Sequence, residues 1–333
     1  MSGPSIARIL LVVAVLAVAP LLTASNTVLN FLTVALMTAL VAQGWNVLGG
    51  YGGQYSFGHA AFFGTGAYVT AILQVRYGVN AWAAFVAAIA GAALVGALIG
   101  ALAFRSGLKG SYFALVTLAF AEVLRILSSV APITGAGVGM LVPLDLRPQA
   151  FQFQGRAPFF WIALALVAVS LIIVRAIEQS RFGAWLVAVR ENEDAAKALG
   201  INPFQVKLAA MTISAAITGA AGGFYVQYFL FVDSGIAYGP WISIEALLGS
   251  IVGGIGTVFG PLLGALVVKA LGEATKHLTG DAPGLDLVIY GCVLILIVAF
   301  APNGVAGLLG KARKLLRLPK SSCPEQPNER PHG

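Results

Sequence analysis

The sequence predicts an all-α, polytopic bundle of membrane helices, and three observations carry that prediction. Hydrophobic residues make up 59% of the 333-residue chain, before its 40 glycines are added, where ordinary globular chains reach roughly 45–50% with glycine included. Charged residues are only 10% against a usual ~25%, too few to cover a water-facing surface, so most of the exterior must meet lipid. Apolar runs of about 20 residues, the length that crosses a ~30 Å hydrocarbon core, recur from end to end. A soluble enzyme, a disulfide-built secreted domain and a disordered tail protein are thereby excluded.

Ten runs fit a span: 6–23, 27–48, 59–75, 81–104, 112–131, 158–174, 206–230, 242–254, 258–277 and 285–300. The first reads as a span rather than a signal peptide. Leu22-Thr23-Ala24 lacks the small-x-small cleavage pattern, and the next run follows almost at once. With a cytoplasmic N-terminus and ten crossings, the outside receives only Arg76, Arg147, Arg156 and Lys276 of the 20 Lys and Arg. Arg125 and Lys269 fall within spans, and all the others face the cytoplasm. That bias places both termini inside, and it explains the net charge of +7 without invoking nucleic acid. The run 242–254 is short enough to be re-entrant, but dropping it alone would put the basic tail outside.

Residues 1–310 thus form one membrane domain with two soluble segments. The outer one, 132–157, is rich in Gly and Pro and carries Asp145, Arg147 and Arg156. The inner one, 175–205, is dense in charge. Residues 311–320 are basic and suit a flank that touches anionic lipid, a simpler reading than nucleic-acid binding. Residues 321–333 are polar and Pro-rich and read as disordered. Cys292 and Cys323 have no partner at CxxC or metal-ligand spacing, so no metal site is expected.

Within the inner segment, 190–203 reads as a short capped helix. Asn192 is its N-cap, Glu193 and Asp194 fill the first turn, Glu193 reaches Lys197 at i,i+4, and Gly200 and Pro203 end it. Its small Ala195 and Ala196 leave room for close approach by another protein, and Arg190 and Glu191 flank it. An ordinary solvated loop helix has the same pattern.

Two glycine blocks interrupt apolar runs and then restart a helix: Gly52 and Gly53 with Ser56, Gly58 and His59, and Gly253 and Gly254 with Gly256, Thr257 and Gly260. Each has Gly-Gly followed by Phe-Gly, which hints at an internal repeat. Broken helices expose backbone groups and positive helix N-termini to a solute; alternatively, such glycines let helices pack closely, as Gly96-x-x-x-Gly100 would. Among intramembrane charges, Glu122 with Arg125 and Lys269 with Glu273 have helical spacing for self-pairing, whereas Glu245 has no local partner and is a candidate pathway residue. His59 suits either contact with solute or a packed, hydrogen-bonded position.

These motifs resemble one family. Asp194-Ala195-Ala196-x-x-x-Gly200 is similar to the EAA loop of ABC importer permeases, with Asp in place of the leading Glu. The block from Gly53 to Tyr68, the stretch from Lys109 to Phe120, the segment from Arg181 to Gly200, the block from Gly253 to Ala265 and the ending from Ala301 to Gly307 resemble branched-chain amino acid ABC transporter permeases of the LivM type, in family order. The resemblance implies a permease subunit of an ATP-driven importer for branched-chain or related amino acids in a bacterial inner membrane. It implies two ATPase subunits, a second homologous permease and a periplasmic solute-binding protein as partners. The coupling residues would then be Arg190, Glu191, Glu193, Asp194, Ala195, Ala196 and Gly200. The chain itself has no phosphate-binding loop of the G-x-x-x-x-G-K-[ST] type, so ATP is expected to act on the partners, with no cofactor here. Urea and amide permeases belong to the same family and remain open, as does a self-sufficient secondary transporter or channel. No nucleophile with a base, or metal cluster, suggests an enzyme.

Overall fold

The computed structural model describes residues 6–22 and 25–279, with isolated positions beyond them at 285, 288, 289, 291, 292, 295, 304 and 307. The expected tail, and most of the expected span 285–300, lie outside the described residues. The other nine expected runs are helical: α1 (Ile6–Ala17) with the single turn α2 (Ala19–Leu22), α3 (Asn26–Trp45), α4 (His59–Tyr77), α5 (Ala81–Arg105), α6 (Gly110–Val130), α7 (Arg156–Gln179), then α8 (Arg181–Glu191), α9 (Glu193–Ala198), α10 (Pro203–Phe229), α11 (Ser234–Ala237), α12 (Pro240–Gly253) and α13 (Gly260–Thr279). Among the described residues, six stretches are long and apolar enough to cross a membrane: Asn26–Tyr51, Ala81–Arg105, Gly110–Val130, Arg156–Gln179, Pro203–Phe229 and Ser234–Gly253. Helices α4 and α13 have comparable length but carry polar residues, Lys269 and Glu273 among them, that dilute their apolar character.

Helix ends follow local chemistry. Asn80 Oδ1 accepts the Trp82 N–H at 2.9 Å to start α5, Ser180 Oγ accepts from Gly183 to start α8, and Asn202 with Pro203 starts α10. The core forms around α10, which packs on α3, α4 and α5. It is buried without interruption from Ile217 to Phe224, as expected of a helix apolar on all sides. Its small residues permit this. A Cβ on Gly222 would run into the Phe63 carbonyl of α4, and one on Gly96 of α5 would meet Ala215, so the backbones approach as small-xxx-small pairs do. Leu94, Leu98 and Leu102 of α5 and Leu115, Val123 and Ile126 of α6 are exposed, which suits contact with lipid.

Helix α7, 24 residues long and therefore about 36 Å, sets the two soluble segments at opposite ends of the bundle. The Gly/Pro-rich segment is folded, not loose. Met140–Leu141 (β1) pairs antiparallel with Phe231–Val232 (β2), and Phe151 is fully buried, stacked on Trp82 at 4.0 Å. The charged segment differs from the expectation of one helix in a loop. Helix α7 runs on through Gln179, so Arg175 and Glu178 pair within it at 2.7 Å, and the remainder forms two helices, α8 and α9. Apolar Phe182, Leu186 and Val189, at helical spacing in α8, pack on the core and supply the reason.

Candidate functional site at the charged end of the bundle

The first glycine block begins where α3 widens into a π turn, Asn46–Tyr51, and the chain stays irregular until α4 starts at His59. The second block is the six-residue turn between α12 and α13. These two helices lie back to back as a hairpin: a Cβ on Gly264 would strike the Gly249 carbonyl, and one on Gly253 the Gly260 carbonyl. In this arrangement Gly253 and Gly260 serve close packing.

The two blocks are bonded to each other. Asn46 Nδ2 donates to the Thr257 carbonyl at 3.0 Å, and its Oδ1 accepts the Gly256 N–H at 2.8 Å. One helical turn earlier, Gln43 Nε2 donates to the Val258 carbonyl at 2.7 Å. The first N–H groups of the restarted helices are also occupied: Ala60 donates to Ser243 Oγ, Gly58 to Ser56 Oγ and Gly260 to Thr257 Oγ1. Ser56 is fully buried. His59 is buried as well, and its Nε2 lies 2.9 Å from Ser214 Oγ, which donates to the Gly44 carbonyl at 2.6 Å. Ser214 therefore accepts from Nε2–H, a packed and hydrogen-bonded position for this histidine.

The charged segment reaches the same place. Arg190, the penultimate residue of α8, donates from Nη1 to the Gly50 carbonyl at 2.9 Å. Its Cγ lies where a Cβ on Gly53 would be, and Gly53 has φ +66°, so a side chain there is excluded by both space and backbone. Arg190 also holds Glu191 at 2.7 Å. In α9, Asn192 Oδ1 accepts the Asp194 and Ala195 N–H groups at 3.0 Å, the expected cap. Glu193 reaches Lys197 at 3.6 Å, but its closer partners are Lys207 of α10 at 2.8 Å and Lys109 at the entry of α6 at 3.0 Å. Burial of the Glu193 carboxylate opposes its charge, yet hydrogen bonds from Lys207 and Lys109 outweigh that and lower it from the ordinary 4.5 to about 2. Ala196 is buried, while Asp194, Ala195, Ala198 and Leu199 are exposed. Gly200 closes the helix at φ +81° with nothing near its Cβ position, so it is required by backbone conformation rather than by space.

A family model described as "Branched-chain amino acid transport system / permease component" matches residues 27–298. The chain belongs to this permease family. It is 29% identical to the high-affinity branched-chain amino acid transport system permease protein LivM of Escherichia coli K12, over 95% of this chain and 78% of that protein. It is 28% identical to LivM of Salmonella typhimurium, over 93% and 76% of the two chains, and 25% identical to the permease BraD of Pseudomonas aeruginosa, over 84% and 94%. No solved structure matches. The relatives are transport permeases rather than enzymes, and this permease is a multi-pass membrane protein.

The permease thus brings together Gly52, Gly53, Gly256 and Thr257 with Arg190, and ties Glu193 to two further helices. Two expectations about intramembrane charge are corrected. Glu245 has a local partner, Trp241 Nε1 four residues back in α12 at 2.8 Å, and two distant in sequence, Lys269 Nζ at 2.6 and 2.8 Å and Thr38 Oγ1 at 3.3 Å. Lys269 pairs across the hairpin, so Glu273 instead meets Lys276 at 4.0 Å and His277 at 3.8 Å. The reason is geometric, because the α12–α13 close approach sets a carboxylate from one helix beside an ammonium from the other. Glu122 and Arg125 do pair within α6. Gln43, Asn46 and Lys207 escaped sequence reasoning. The polar Gln43 and Asn46, three residues apart at the end of an apolar run, were the available signal.

Proposed function

We propose that this chain is the membrane-spanning permease subunit of an ATP-driven importer of branched-chain or related amino acids in a bacterial inner membrane. Two separate ATPase subunits, a second homologous permease and a periplasmic solute-binding protein complete the machine. The observation that carries this reading is the continuity at the charged end. An exposed helix, α9, is bonded through Glu193 to α10 and to the entry of α6, and through neighbouring Arg190 to the first glycine block, which is bonded to the second. A load applied to α9 from outside the membrane therefore reaches α10, the entry of α6 and both glycine blocks through named bonds. Ala195, Ala198 and Leu199 supply a small apolar face for the ATPase, with Asp194 and Gly200 at its margins. The glycine blocks, with Thr257, form the inner end of the solute path, with Ser56 and His59 packed behind them, and the Gly/Pro-rich segment at the other end receives the binding protein.

The test is uptake of L-leucine by proteoliposomes holding the complex purified from its native membrane. Uptake should require ATP on the side of the charged segment together with the binding protein. Uptake driven by an ion gradient without ATP would favour a secondary transporter, and ATP-driven uptake of urea or an amide in place of leucine would reassign the solute.

A further inference from the structure

Residues Glu245 and Lys269 lie at mid-depth in the bundle. Lys269 is the tenth residue of the 20-residue α13, about 15 Å from either end. Their side chains are only 14% and 23% exposed. A cavity of about 450 Å³ opens beside them, lined by Thr27, Asn30 and Lys276 toward the Gly/Pro-rich end and by Trp241, Glu245 and Lys269 at its floor. A second cavity of about 220 Å³ shares Val34, Trp241, Glu245 and Lys269 and adds Met37, Val41 and Phe63. The ion pair therefore stands between a vestibule of mixed lining, which carries charged and polar side chains, and a more apolar chamber.

An ion pair at this depth carries a desolvation cost that mutual attraction barely offsets, and it is not needed to hold its hairpin, since glycine contacts already join α12 to α13. The Glu245 carboxylate is fully engaged by Lys269, Trp241 and Thr38, whereas among the described residues the Lys269 ammonium bonds only Glu245. A guest with one positive and one negative group can enter such a pair without changing the charge of the site. A lone anion or cation would leave a buried charge uncompensated.

We propose that the Glu245–Lys269 pair is an exchangeable site for zwitterions: the ammonium of an α-amino acid takes the place of Lys269 on Glu245, its carboxylate takes Lys269, and its aliphatic side chain rests on Val34, Met37 and Phe63. This deepens the importer reading and rests on it. The site lies a helix half-length from the glycine blocks and faces the end where solute would arrive. The glycine blocks, whose leading N–H groups are occupied, offer an amino acid only partial backbone charges, whereas this pair offers a full charge to each end.

The test uses the complex purified from its native membrane, reconstituted with L-leucine as probe. The double variant Glu245→Gln with Lys269→Met keeps volume and removes both charges. A mere interhelical clip tolerates that exchange, whereas an exchangeable site loses at least about tenfold in leucine uptake at equal complex content, the equivalent of one lost charge-assisted contact. Wild-type rates in the double variant would overturn the site and leave the importer reading standing. If the unaltered complex takes up no leucine or other aliphatic amino acid with ATP, the importer reading itself fails, and the inference with it. Should the double variant not assemble, Val34→Cys in a chain with Cys292 and Cys323 replaced by Ser carries the test. Leucine delivered under turnover should slow its labelling by a small water-soluble maleimide at least about threefold, and equal rates with and without leucine would overturn the proposal.

Discussion

The two soluble segments sit at opposite ends of α7 and differ in what ties them to the bundle. The Gly/Pro-rich segment is fixed by apolar burial and backbone pairing: Phe151 stacks on Trp82, Trp82 Nε1 donates to the Pro148 carbonyl at 2.9 Å, and Val142 N–H donates to the Leu230 carbonyl at 2.8 Å. The charged segment adds directional polar bonds, Arg190 to Gly50 and Glu193 to Lys207 and Lys109, to the apolar packing of Phe182, Leu186 and Val189. Aromatic burial resists displacement in every direction and is insensitive to pH or salt. Bonds from one arginine and one glutamate can be broken and remade as a unit. A receptor surface that must hold its shape suits the first kind of anchor, and a lever suits the second.

Breaking the aromatic anchor should have the largest effect. Phe151→Ala removes a fully buried ring and should cost about 3–5 kcal/mol. Hydrogen exchange should rise across residues 140–155 and stay unchanged across 184–199. Glu193→Ala should do the reverse at a cost of about 3 kcal/mol, because it strands the Lys207 ammonium, which is 6% exposed, without its partner. Equal spread of exchange into both segments, from either substitution, would erase the distinction between them.

Acid should separate the segments without mutation. The folded Glu193 carboxyl titrates near 2, below its unfolded value of about 4.3, so its stabilising contribution is complete above that value and is lost as pH falls toward 2. Exchange across 184–199 should therefore rise as pH is lowered from about 5 to 2, after correction for intrinsic rates, and Glu193→Gln should abolish the change. Residues around Phe151 should show only a weaker step, because the carboxyl lowered there, Asp145, is paired with Arg147 in the open. The smallest effect is expected at Gly200. Its φ of +81° with free space around it predicts a loss of only about 1 kcal/mol for Gly200→Ala, measurable as local exchange at α9, and a loss many times larger would show that this position is crowded by a neighbour.

Much of this arrangement was readable in the sequence, for physical reasons. Helices α3, α5, α6, α7 and α10 follow from runs whose length and polarity match a bilayer, and Asn192 announces α9 because a cap depends on residues two and three positions away. The membership of the family was visible in the glycine blocks and the Asp194-Ala195-Ala196-x-x-x-Gly200 pattern. Long-range pairing was not. Lys269 has Glu273 at i,i+4, but the hairpin offers Glu245, 24 residues away, and no local rule ranks the two. Glu193 likewise prefers Lys207 over the helical Lys197. Helix α8 was missed because its apolar residues alternate with Arg and Ala in a pattern too short to stand out. The second glycine block read as a break in a helix and is a hairpin, since glycine serves turns and close packing equally.

Under the proposed function, α9 and the glycine blocks move together because Arg190 joins them. In the reconstituted complex, Arg190→Met removes the bond to the Gly50 carbonyl while keeping an unbranched chain beside Gly53. The quantity to measure is leucine imported per ATP hydrolysed. A lost hydrogen bond from a charged donor is worth about 1.5–3 kcal/mol, so the ratio should fall by about tenfold or more relative to the unaltered complex. An unchanged ratio, at equal complex content, would mean that Arg190 does not couple the two.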